Sequence, residues 1–257
     1  MNTFFESGRQ ALRRGRRRGL TLIELIVVLI ILVGLGGLLV PVIGNALTRT
    51  HVATCSANFA EITQTLMRLE TFRGVYGDGW DSGMESGGGA VNGIGYTTEA
   101  LAAGEDDALA EAGITQVFDH TDTPTPGVYN VTFNPEYVGP RALAVGQELI
   151  TMTPAQAAAL SLPSAGSEKY VVLGIGPNWT GLRDVAFETP VHFGDEEGNL
   201  PHQVYSRFQA IFQVADGGGN PLPRAKFCGV TIGLNGQDYE TAEFHIAVYW
   251  TEVNQQN

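Results

Sequence analysis

Cysteine, positive charge and catalytic signatures are all scarce in this chain. The two cysteines, Cys55 and Cys228, allow one disulfide at most, so no disulfide framework can knit the fold together. Lys and Arg number 15 against 27 Asp and Glu, a formal net charge of −12. Such a balance repels phosphate backbones, whose binding depends on neutralisation by Lys and Arg, and argues against nucleic acid as a partner. Gly-x-Ser-x-Gly, His-Glu-x-x-His and the Gly-x4-Gly-Lys-Ser/Thr loop are absent. With no hydrolase, zinc-protease or nucleotide-binding pattern, the chain does not read as an enzyme. Tandem repeats and heptads of coiled-coil length are missing too.

What is present is concentrated near the N-terminus. Six arginines (Arg9, Arg13, Arg14, Arg16, Arg17 and Arg18) precede Gly19, and an uncharged run follows from Leu25 to Gly44. At 1.5 Å per residue that run spans about 30 Å, one bilayer core. An ordinary secretory signal has a shorter apolar region and is cut after it at small residues, and no Ala-x-Ala site follows here. One reading is an uncut anchor, a single transmembrane helix with its basic flank cytoplasmic. Glu24, set against the apolar run, is costly in hydrocarbon and calls for a partner.

The block Gly19-Leu20-Thr21-Leu22-Ile23-Glu24 resembles the class III signal of type IV pilins and of the pseudopilins of type II secretion. Family members usually carry Phe where this chain has Leu20. The resemblance implies that prepilin peptidase cuts between Gly19 and Leu20 and methylates the new amino group of Leu20. It implies that Glu24 then pairs with the terminal amine of a neighbouring subunit during assembly. Removing residues 1–19 would leave nine cationic side chains against 26 anionic ones, a charge of −17. Pro41 falls where many pilins carry a helix-bending proline, and Gly34, Gly36 and Gly37 precede it. Each glycine costs about 1 kcal/mol of helix propensity and proline about 3 kcal/mol, so 34–41 reads as a helix-weakening stretch. Close packing between membrane helices is the other account of these small residues, although no Gly-x3-Gly spacing occurs.

Beyond the run, Val52, Cys55, Phe59, Ile62, Leu66 and Leu69 form a stripe at helical spacing that ends near Gly74. Thr153-Pro154-Ala155-Gln156 is a capping box with proline at the first helical position. Short helices are expected after Thr98, broken by Gly104, and over 106–112, closed by Gly113. Strands are expected over 127–133, over 169–174, over 204–214 with Arg207, Gln209 and Gln213 on a wet face, and through Phe244, Ile246, Val248 and Trp250. The expected fold is thus α+β and pilin-like, a long N-terminal spine helix with a transmembrane first half packed on an antiparallel sheet head. Residues 1–19 would be the leader, 20–73 the spine with its membrane part at about 20–44, and 74–257 the periplasmic head. The protein would cross the inner membrane once, N-terminus cytoplasmic, and then enter a filament. Prepilin peptidase, other pilin or pseudopilin subunits and an inner-membrane assembly platform are the partners so implied. The size of the head favours a minor or specialised pseudopilin over a true pilus subunit. The competing class is a non-filamentous, membrane-anchored periplasmic binding module.

Few head residues offer chemistry. Cys55 lies on the helical stripe and Cys228 alternates in phase with Val230 and Ile232, so both point to apolar faces. They read either as a disulfide or as two buried free thiols. His192, Asp195, Glu196 and His202 cluster without tight zinc-ligand spacing and read as a solvated acidic loop. Asp78 and Asp81, in a glycine-rich stretch, are weak calcium candidates, and no other cofactor is expected.

Overall fold

The computed structural model describes residues 21–91, 94–120, 137–181, 207–232 and 240–241. The side chains at 38–49, 51, 52, 55, 56, 240 and 241 lie outside that description. The chain divides into two units, Met1–Leu47 and Thr48–Asn257. Helix α1, Leu22–Arg73, begins in the first and ends in the second.

A mixed sheet organises the second unit. β4 (Tyr137–Ala142), β3 (Gln116–His120), β1 (Trp80–Glu85), β6 (Lys169–Gly174), β7 (Phe208–Ala215), β8 (Pro221–Ile232) and β9 (Glu240–Thr241) lie side by side in that order. β5 (Glu148–Thr151) pairs with β6 and carries β2 (Thr97–Ala100) on its other edge. One edge of β6 therefore serves two neighbours, Thr151 of β5 opposite Val171 and Asp81 of β1 opposite Gly174. The fork between β1 and β5 closes over Gly83, at φ +68°, where a Cβ would overlap Ile94 and press on Ile150. β1 and β3 run parallel. A parallel pair needs a long crossover, and this one contains β2 and helix α2 (Glu105–Glu111). Gly113, at φ +82°, ends α2 with its N–H bonded to Ala110 and that of Ile114 to Leu109, a Schellman closure. Helix α3 (Pro154–Ala159) starts with the capping box read from the sequence, Thr153 and Gln156 bonding each other's backbone N–H.

Both faces of the sheet are covered. Phe59, Ile62, Leu66 and Leu69 of α1 share one core with Val171, Leu173, Phe208 and Phe212, and Phe59 meets Phe208 edge-on at 5.1 Å between centroids. Tyr170, Val172 and Ile211, the alternate residues, join Ile94, Tyr96, Ile150 and Met152 in a second core. The period-2 pattern of a strand thus feeds two layers rather than one.

Several expectations are corrected by this architecture. The sheet is mixed, not antiparallel, and it dominates the structure, in place of a spine helix laid on an antiparallel head. No helix among the described residues is long and apolar enough to cross a membrane, which overturns the transmembrane first half and the single-pass inner-membrane location. Thr98 and Glu99 lie in β2, paired with Ile150 and Leu149 of β5, and not in a helix. Arg207 and Gln209 are buried rather than wet, because a second layer covers the face that half-buried alternation assigns to water. Residues 127–133 and the strand through Phe244–Trp250 lie outside the described residues.

Cys228 is displaced from its expected phase by a β-bulge. Ile211 pairs with Gly229 and Phe212 with Phe227, leaving Cys228 as the extra residue between them. Val230, Ile232 and Ala225 belong to the core that holds the α1 stripe, whereas Cys228 packs against the opposite one. The thiol is free and bonds the Lys226 carbonyl at 3.4 Å; burial pushes its pKa up. The Cys55 side chain lies outside the described residues. Maleimide is expected to label both cysteines in unfolded, unreduced protein, as read by intact mass; a doubly protected chain would restore the bridge.

Candidate functional site

The start of α1 carries the first candidate site. Thr21 and Glu24 stand three apart, at the N-cap and third helical positions, where a hydroxyl and a carboxylate satisfy N–H groups that have no partner inside the helix. The Thr21 backbone N–H donates to Glu24 Oε2 at 2.8 Å and its hydroxyl to the same oxygen at 2.9 Å, while the Glu24 N–H donates to the hydroxyl at 3.4 Å. The backbone and then the hydroxyl of Thr21 hold the carboxyl below its usual range, so it stays ionised. Past this cap the helix is apolar all round. Twelve large apolar side chains from Leu22 to Leu35 are 43–77% exposed. Gly34, Gly36 and Gly37 sit inside α1 with nothing within 4 Å of where a Cβ would stand. Gly19 and Leu20 lie outside the described residues, as does the side chain of Pro41.

The two aspartates weighed for calcium have other roles in the head. Asp78 Oδ1 accepts from the N–H groups of Gly79, Thr115 and Gln116 at 2.9–3.0 Å, and its Oδ2 from the Thr115 hydroxyl at 2.6 Å. That carboxylate ties the start of β1 to the start of β3. Asp81 is fully buried. Its Oδ2 accepts from the Tyr137 hydroxyl at 3.0 Å and lies 3.6 Å from Arg207 Nε and 4.0 Å from His120 Nε2. The His120 and Tyr137 rings pack 4.9 Å apart. Burial, followed by the Arg207 charge, lowers His120 to about 4, and burial with the neighbouring Asp81 charge raises Tyr137. Gly176 gives this cluster its room, since a Cβ there would overlap the Asp81 carboxylate. No group of three or more metal-ligating side chains occurs among the described residues. His192, Asp195, Glu196 and His202 lie outside them.

The cluster of Asp81, His120, Tyr137 and Arg207 was not legible as a unit. Its members sit on four separated segments with no motif between them, and the alternation around Arg207 pointed it to solvent. Asp81→Ala is expected to destabilise the protein by about 3–5 kcal/mol, because the buried Arg207 guanidinium loses this counter-charge. Urea unfolding checks this; a loss below about 1 kcal/mol would reduce the pair to the worth of a surface ion pair.

No family model, curated protein or solved structure matches this chain. The pilin and secretion resemblance therefore has no relative behind it and stands on residues 19–24 and their surroundings.

Proposed function

We propose that this chain is a pilin-like subunit, trimmed between Gly19 and Leu20 by a prepilin peptidase, methylated on Leu20, and assembled through α1 into a type II secretion pseudopilus or a type IV pilus-like filament. The observation that carries the reading is the exposure of α1 on every side between Leu22 and Leu35. A helix apolar all round is stable in water only when something covers it, and exposed apolar patches of such size mark interaction sites. The same segment of neighbouring subunits is the cover proposed here. Glu24 supports it: both Thr21 donors bind Oε2, so Oε1 can face the Leu20 ammonium of another copy. The head, acidic and without a catalytic signature, would serve recognition or capping within the machine.

Mass spectrometry of the mature N-terminus tests the reading. A chain beginning at methylated Leu20 is the expected result, and an intact N-terminus in cells that express a prepilin peptidase would sink it.

A further inference from the structure

The 48–73 part of α1 carries two exposed charges on one face, Glu61 and Arg68. Seven residues apart, they are separated by about 10.5 Å of helical rise. Helix side chains pair with those three or four positions away, and all such positions around either residue are uncharged. Among the described residues neither Glu61 nor Arg68 makes an ion pair or a side-chain hydrogen bond. Glu70, by contrast, has Arg224 of β8 at 4.0 Å. Glu61 and Arg68 line a groove of about 360 Å³ together with Thr65, Leu69 and Phe72. Thr65 and Leu69 are nearly buried, whereas Phe72 is 83% exposed. The face thus offers an anion, a cation and an apolar side chain, all turned to whatever lies outside the subunit.

We propose that Glu61 of one copy pairs with Arg68 of the next beside Phe72, an inference that rests on the filament reading and extends its contact beyond the apolar run. The pattern is self-complementary: a parallel copy shifted along the helix sets its Glu61 against its neighbour's Arg68. Each subunit then gives its anion to one neighbour and its cation to another, the head-to-tail contact that builds open filaments. The shift has the direction that Glu24 asks for. Both contacts set a residue of one copy against a later one of its neighbour, Leu20 against Glu24 and Glu61 against Arg68. The arginine side chain reaches back over the turn N-terminal to its own Cα, which narrows the difference between the two spacings. One exposed ion pair contributes little, but a reversed sign sets like charges face to face at every subunit, which costs more.

Sheared-filament yield from cells expressing the full chain tests the pair. Glu61→Arg and Arg68→Glu, each alone, should lower the yield about tenfold. Expressed together, the two variants should recover about half of the wild-type yield or more, because each offers the sign that the other lacks. Misfolded chains cannot rescue one another, so the mixture also answers for folding. Wild-type yield from either single variant, or no recovery in the mixture, overturns the pair. Filaments of the wild type with methylated Leu20 at the N-terminus would still uphold the filament reading in that case. An untrimmed wild-type chain that forms no filament sinks both.

Discussion

Glu24→Val is expected to leave the chain processed but unable to enter filaments, with incorporation falling to that of an assembly-blocked control. The change makes the start of α1 more apolar, so the segment keeps its drive to be covered. What is lost is the anion that would face the Leu20 ammonium of the next subunit, in a setting where a charge without a counter-charge is costly. Glu24 also closes the capping box with Thr21, so valine alone confounds the two roles. Glu24→Gln separates them, because glutamine closes the same box but carries no charge. If charge pairing drives assembly, glutamine fails as valine does. If glutamine assembles normally, Glu24 only caps its own helix and the inter-subunit pairing is wrong. Sheared-filament yield at equal total protein is the measurement.

Gly19→Val is expected to block cleavage, leaving a chain longer by residues 1–19, with its six arginines retained and Leu20 without a methyl group. By resemblance, the peptidase needs a small residue before the cut, and a branched side chain would fill that subsite. No filament should contain the uncut chain, because the cation expected to meet Glu24 exists only once Leu20 is an N-terminus. Intact mass and filament yield read the two consequences separately. Normal trimming of the valine variant would remove the basis for a class III signal, whatever the filament yield.

The sequence by itself determined what is decided within a few residues. The Thr153–Gln156 box, the Gly113 ending of α2 and the β6 strand are visible because caps, left-handed glycines and β-branched runs act over one turn or one strand. The Thr21–Glu24 cap has the same local origin. Tertiary structure decided the rest. Alternation around Phe208–Val214 showed one apolar face, but nothing local announced that Ile94, Tyr96, Ile150 and Met152 would cover the other and bury Gln209. Thr98 could cap a helix in isolation, yet four register pairs with β5 outweigh that weak preference. The bulge at Cys228 reverses the side of the sheet on which the thiol lies, since one inserted residue flips a period-2 pattern. The parallel β1–β3 pair brings His120 beside Asp81, and Tyr137 and Arg207 join them from distant segments. A buried charge is stable only beside its partners, and those partners come from strands that the fold alone makes neighbours.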